Sequence, residues 1–165
     1  MQKILVSACL LGHAVRYDGG AHGPFAQLQQ WQLQGRLLVL CPEVAGGLPT
    51  PRAPAEIAGG QGAQVLDGQI ALFDALGVDV SLAFIAGARQ AEQLVREHDI
   101  QIAVLKARSP SCGNQQAYDG SFSGQLVAGE GVTAAALRRL GVRVFNEQQL
   151  LEAHTLLVAL EALPN

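Results

Sequence analysis

The sequence predicts an α/β fold, a single domain with a mostly parallel sheet, helices on both faces and a small hairpin excursion. Three observations carry this. Short apolar runs recur along the chain, at Ile4-Leu5-Val6, Leu37-Leu38-Val39-Leu40, Ile102-Ala103-Val104-Leu105 and Val142-Arg143-Val144-Phe145. Segments with helical spacing of apolar residues lie between them, and alternation of strand and helix is the pattern of parallel βαβ units. The length, 165 residues, suits one domain with a sizeable core.

In chain order, residues 3–8 read as a buried strand ending at Cys9. A loop follows, and Phe25, Leu28, Trp31 and Leu33 then keep helical spacing until Gly35 ends the helix. Leu37–Leu40 is a second strand, ending at Cys41. The stretch from Pro42 to Pro54 holds four prolines and two glycines and reads as a rigid irregular loop. Asp67-Gly68, flanked by Gln64-Val65-Leu66 and Gln69-Ile70-Ala71-Leu72, is a two-residue hairpin signal. Asp79 is the expected N-cap of a long helix reaching about His98, and Gly87 inside its apolar spacing implies close packing. Residues 102–105 form a third strand, followed by a glycine-rich polar segment. Thr133 is expected to cap a helix that Gly141 ends, and Val142–Phe145 is a fourth strand. Asn146 and Gln149 suggest a capping-box-like start for the last helix.

Composition excludes several classes. The net charge is −3 with no basic run, which argues against a large nucleic-acid interface while allowing a free base or single nucleotide. No run of about 18 apolar residues exists, so no membrane span is expected. Val6-Ser7-Ala8-Cys9 resembles a lipoprotein cleavage site. The apolar segment before it is shorter than the ~7 residues a signal core needs, so a cytoplasmic location is expected. No obligate protein partner is evident.

The chemistry centres on Ser109-Pro110-Ser111-Cys112-Gly113, which leaves the end of the third strand. Pro110 holds Ser109 extended, and Gly113 permits a positive φ or a close approach. Cys9 and Cys41 also follow the C-terminal ends of predicted strands. In an open parallel sheet those ends share one edge, where ligands bind. Cys9, Cys41 and Cys112, far apart in sequence, can therefore converge. Three is an odd number for a disulfide framework, and three thiolates suit zinc or an iron–sulfur cluster. Zinc would need a fourth ligand, for which His13 and His22 are the candidates. Three thiols on a four-iron cluster would leave one iron open.

Several segments resemble the thiouracil desulfidase family: Val6-Ser7-Ala8-Cys9-Leu10-Leu11-Gly12, Val15-Arg16-Tyr17-Asp18-Gly19, Cys41-Pro42-Glu43, Gly46-Gly47-Leu48-Pro49-Thr50-Pro51-Arg52, Leu105-Lys106, Ser109-Pro110-Ser111-Cys112-Gly113 and Tyr118-Asp119-Gly120-Ser121-Phe122-Ser123-Gly124. The resemblance spans roughly Ile4 to Asn146. It implies that residues 1–165 form one iron–sulfur desulfidase-like, Rossmann-like domain. It implies a four-iron four-sulfur cluster held by Cys9, Cys41 and Cys112, with one iron not bound by protein. The implied activity is non-redox desulfuration: thiouracil and water give uracil and hydrogen sulfide. Glu43 would be the general base that activates water, and Ser109 would orient the ring or relay a proton. Ser111, Tyr17 and Asp18 are expected at the substrate, a small thiolated pyrimidine. Arg16 and Arg52 are open to a simpler role, tying loops together in ion pairs. With no second domain in the sequence, a free base or nucleoside is favoured over transfer RNA. Two other readings stay open on sequence: a redox-sensing iron–sulfur module, and a non-catalytic nucleotide- or sulfide-binding module with structural zinc.

Overall fold

A computed structural model describes residues 1–163. Four strands form one wholly parallel sheet: β1 (Ile4–Ser7), β2 (Leu37–Leu40), β5 (Ile102–Val104) and β8 (Arg143–Phe145), in the order β2-β1-β5-β8. Val6 of β1 lies in register with Val39 on one side and Val104 on the other. Successive strand residues point to opposite faces. Ile4, Val6, Ile102 and Val104 therefore face α1 (Ala26–Leu33) and α6 (Leu150–Ala162), packing with Leu28, Trp31 and Leu157. Leu5, Ala103 and Leu105 face α4 (Ser81–His98) and α5 (Val132–Arg139), packing with Ala91, Val95, Ala134 and Leu137. Burial on both faces is the reason the runs of the two central strands, β1 and β5, are apolar up to Ser7 and Lys106.

The fold class follows the sequence expectation, and the strands of the main sheet fall within a residue or two of their expected limits. Several details differ. The expected hairpin about Asp67-Gly68 is a helix end: α3 (Gly62–Leu66) stops there, with Gly68 at φ 69°. Both structures want a glycine with positive φ, so the local signal is the same. Val65 decides between them by plugging into a core with Phe84, Ala88 and Val132. The hairpin excursion exists elsewhere, as β3 (Ala55–Ile57) antiparallel to β4 (Leu72–Asp74). A second hairpin, β6 (Gln116–Tyr118) with β7 (Leu126–Ala128), lies in the segment read only as polar and glycine-rich. The proline-rich stretch begins with one helical turn, α2 (Pro42–Ala45). Thr133 lies inside α5 rather than capping it, and its hydroxyl is bonded to Ser111 Oγ at 2.9 Å. The N-cap of α4 is Val80 rather than the expected Asp79, which instead accepts the Ser81 N–H at 2.9 Å from one residue earlier. Gln149 Oε1 accepts the Asn146 N–H, and Asn146 Oδ1 the Gln148 N–H, a reciprocal arrangement ahead of α6.

Gly87 is where α4 meets α2. A Cβ there would sit 1.9 Å from the Pro42 carbonyl oxygen, and one on Gly46 would sit 1.9 Å from the Ala83 carbonyl oxygen. Backbone meets backbone at both points, so no side chain can swing aside. Gly87→Ala should lower stability by about 1–3 kcal/mol from overpacking, despite the ~1 kcal/mol that alanine gains over glycine in a helix. Urea unfolding measures this, and a variant as stable as the parent would refute the close crossing.

Candidate active site

The C-terminal ends of β1, β2 and β5 open onto one cavity of about 470 Å³, beside the β1/β5 boundary where the strand order reverses. Cys9, Cys41 and Cys112 all line it, and all three are free thiols. Cys9 sits in a 3₁₀ turn, Ala8–Leu11, that Gly12 ends at φ 86°. Its carbonyl accepts the His22 N–H at 2.8 Å. Cys41 immediately precedes α2, whose first residue is Pro42; proline at that position needs no donor and has a helix-ready φ.

Cys112 is held by a tight turn docked on α5. Carbonyls of Gly113, Pro110 and Ser111 accept the N–H groups of Gly131, Val132, Thr133 and Ala134 at 2.7–3.1 Å. Donors that a helix start leaves unpaired are thereby satisfied. A Cβ on Gly113 would lie 2.8 Å from the Gln116 carbonyl oxygen, so close approach rather than positive φ demands glycine there.

The thiols influence one another. Burial raises the Cys9 thiol to about 11, with the nearby Cys41 adding to the rise and Lys106 opposing it. Burial raises Cys112 to about 12, opposed by a hydrogen bond from Ser7 and reinforced by Cys9, Glu43 and Cys41. Cys41 is also raised by burial, with the backbone N–H groups of Val44 and Glu43 pulling the other way. Metal binding would release these protons, a requirement common to thiolate sites. Among the described residues no three His, Cys, Asp or Glu side chains converge closely enough to hold a single metal ion. Thiols spread around one cavity fit a multi-iron cluster, whose ligands attach at separate irons. His22, one of the two histidines considered for zinc, lines the same cavity, and its buried Nε2 lacks a protein partner. His13 is exposed and outside the wall.

Glu43 stands on the first turn of α2, its side chain 15% exposed, in an ion pair with Arg52 at 3.1 Å. Burial raises its carboxyl above the ordinary range, and the guanidinium holds that rise back. Arg52 is fully engaged: its other nitrogens donate to the carbonyls of Pro49 and Val15 and to Thr50 Oγ1. The proline-rich loop is thus wrapped around one cation. Arg52 does tie loops, as the sequence suggested, and it also anchors the candidate base. Ser109 Oγ accepts the N–H groups of Ser111 and Cys112, each at 3.1 Å, and lies 3.5 Å from Glu43 Oε2. Two donors on its lone pairs direct the hydroxyl proton towards the carboxylate.

The residues expected at the substrate divide. Tyr17 lines the cavity, 41% exposed, with the Arg16 guanidinium 5.7 Å from its ring centroid. Asp18 is outside the wall, accepting the Gly20 N–H and pairing with Arg16 at 3.6 Å. Ser111 is fully buried, and its hydroxyl meets Thr133 rather than the cavity. Sequence reading assigned nothing to Ser7 or Lys106, although both lie in quoted motifs, and nothing in the sequence marked Glu147. Lys106 lines the cavity in an ion pair with Glu147, whose other oxygen accepts the Ala107 N–H at 2.8 Å.

The chain is similar to known proteins over most of its length. A solved structure of a [4Fe-4S]-dependent thiouracil desulfidase, TudS, superposes with a TM-score of 0.88 at 46% identity, covering 96% of this chain and 99% of that one. YbbK of Bacillus subtilis (strain 168), an uncharacterized protein, is 41% identical over 147 residues, 89% of this chain and 97% of its own length. The 2-thiouracil desulfurase family matches residues 4–149. With its three thiols at one sheet edge and this match over most of its length, the chain belongs to the 2-thiouracil desulfurase family.

Proposed function

We propose that the protein is an enzyme that desulfurates a thiolated uracil without net redox change, converting thiouracil and water to uracil and hydrogen sulfide. One observation carries this reading: three thiols from three strand ends share a wall with a buried carboxylate and a hydroxyl aimed at it. The kinship with a [4Fe-4S]-dependent thiouracil desulfidase supports it. Cys9, Cys41 and Cys112 would hold a four-iron four-sulfur cluster with one iron left without a protein ligand. When bound, the cluster would supply a Lewis-acidic iron that takes the thiocarbonyl sulfur and leaves the ring carbon electrophilic.

The chain supplies the rest. Glu43 takes a proton from water as the oxygen attacks carbon. Its raised pKa makes it a stronger base than an ordinary carboxylate, and Arg52 opposes the rise. The proton is held at the carboxyl near Ser109 and passes to the departing sulfur; the second water proton leaves the new hydroxyl as the uracil carbonyl forms and completes hydrogen sulfide. Tyr17 offers its ring to the pyrimidine, while Asp18 steadies Arg16 behind that ring. Ser111 acts by locking the Cys112 turn to α5 rather than by touching the base. The reading takes the chain as a single desulfidase domain working on a free base or nucleoside in the reducing cytoplasm. No helix among the described residues is long and apolar enough to cross a membrane.

Anaerobic reconstitution with iron and sulfide, followed by uracil release from 2- and 4-thiouracil, tests the whole reading; iron uptake without turnover would point to a redox role instead. Alanine at Cys9, Cys41 or Cys112 should lose iron and activity together, and full iron content in any one variant would remove that cysteine from the ligand set. Glu43→Gln should keep the cluster and lower turnover by roughly 10²–10⁴-fold, the usual worth of a general base. Near-parental uracil release from it would exclude Glu43 as the base. The pH–rate profile gives a further check. A base acts only when ionised, so activity should fall as pH drops through a pKa above the ordinary carboxylate value of 4.5. Arg52→Met removes the charge that opposes the rise, so its acid limb should move to higher pH; an unmoved limb would assign the titration to another group.

A further inference from the structure

Ser7 ends β1, is 2% exposed, and has no part in the chemistry described above. Its hydroxyl accepts the Lys106 N–H at 3.0 Å and lies 3.4 Å from Cys112 Sγ. The first contact dictates the direction of the second. A backbone N–H can only donate, so it occupies a lone pair of Ser7 Oγ and leaves the hydroxyl proton for the sulfur. Both partners are fixed: Lys106 follows β5, which pairs with β1, and Cys112 is 4% exposed in a turn docked on α5.

We propose that Ser7 is a positioning residue that hydrogen-bonds the Cys112 sulfur in the cluster-loaded protein and thereby keeps the iron held by that thiolate electron-poor. The proposal rests on the reading of Cys112 as a ligand. Hydrogen bonds to ligating sulfurs are among the factors that set iron–sulfur potentials. A donor on the thiolate stabilises added negative charge, so its presence raises the reduction potential. It also lessens electron donation to the metal, which favours polarisation of the substrate.

The test compares wild type, Ser7→Ala and Ser7→Thr, each reconstituted anaerobically with iron and sulfide. Iron content, reduction potential, iron loss to a chelator, and thermal stability of the cluster-free forms are measured. Ser7→Ala should take up iron, show a more negative potential, and hold iron about 10–100-fold more weakly against a chelator, the usual effect of removing a ligand's outer partner. Ser7→Thr keeps the hydroxyl and should restore both. A Ser7 that only supports the Lys106 N–H would lower cluster-free stability and leave the potential unchanged, which overturns the proposal. If Ser7→Ala does not fold, Ser7→Val replaces it; valine and threonine share a shape and differ by the hydroxyl, and equal potentials for the two would again overturn it. Wild type that takes up no iron would overturn the desulfidase reading and this proposal with it, an outcome distinct from a normal cluster insensitive to Ser7.

Discussion

The arrangement of the site depends on the parallel register of β1 between β2 and β5. Val6 stands level with Val39 and with Val104, so all three strands run out at the same height. Each then delivers a thiol by a different local device: a 3₁₀ turn for Cys9, a single helical turn for Cys41, and a docked loop for Cys112. Ladder hydrogen bonds and a core on each face of the sheet hold that register. A slip of one residue would turn every side chain of a strand to the opposite face. The same pairing sets Ser7 beside both the Lys106 N–H and the Cys112 sulfur.

Around this edge, burial and charge work against each other. Burial raises all three thiols and the Glu43 carboxyl, favouring their protonated forms. Arg52 counters it at Glu43, and Ser7 counters it at Cys112. Burial outweighs these partners, and all four groups stay above their ordinary values. In the proposed reaction the thiols would give up their protons to metal, and the carboxyl would take one from water. The ordering of the loops follows the same logic. Arg52 gathers Val15, Pro49 and Thr50 while holding Glu43, so the segments after β1 and β2 are joined through its guanidinium.

Glycines connect the site to the rest of the molecule. Gly46 and Gly87 let α2 and α4 approach backbone to backbone, which fixes the turn bearing Glu43 on the longest helix. Gly131 does the same for the cysteine turn: a Cβ there would lie 2.4 Å from the Ser111 carbonyl group. Ser111 and Thr133 complete that joint with their hydroxyls. Residues of the motif that never face the cavity therefore still decide where Cys112 sits.

The apolar runs and the helical spacing between them determine the parallel sheet, because a strand buried on both faces needs continuous apolar residues. Cysteines just beyond three of those runs determine that the thiols share one edge. Glu43 and Ser109 are marked by the resemblance to the thiouracil desulfidase family, which maps them onto Cys41-Pro42-Glu43 and Ser109-Pro110-Ser111-Cys112-Gly113. Tertiary structure alone decides what depends on partners distant in sequence. Asp67-Gly68 suits a hairpin or a helix end equally, and the burial of Val65 selects the helix. The β6–β7 pair is short, and its residues carry no alternation strong enough to mark it. Ser111 and Asp18 lie in the right motifs but turn away, because Thr133 and Arg16 are their closer partners in space. Ser7 reads as one more residue of a strand until folding brings Cys112, 105 positions away, within reach of its hydroxyl.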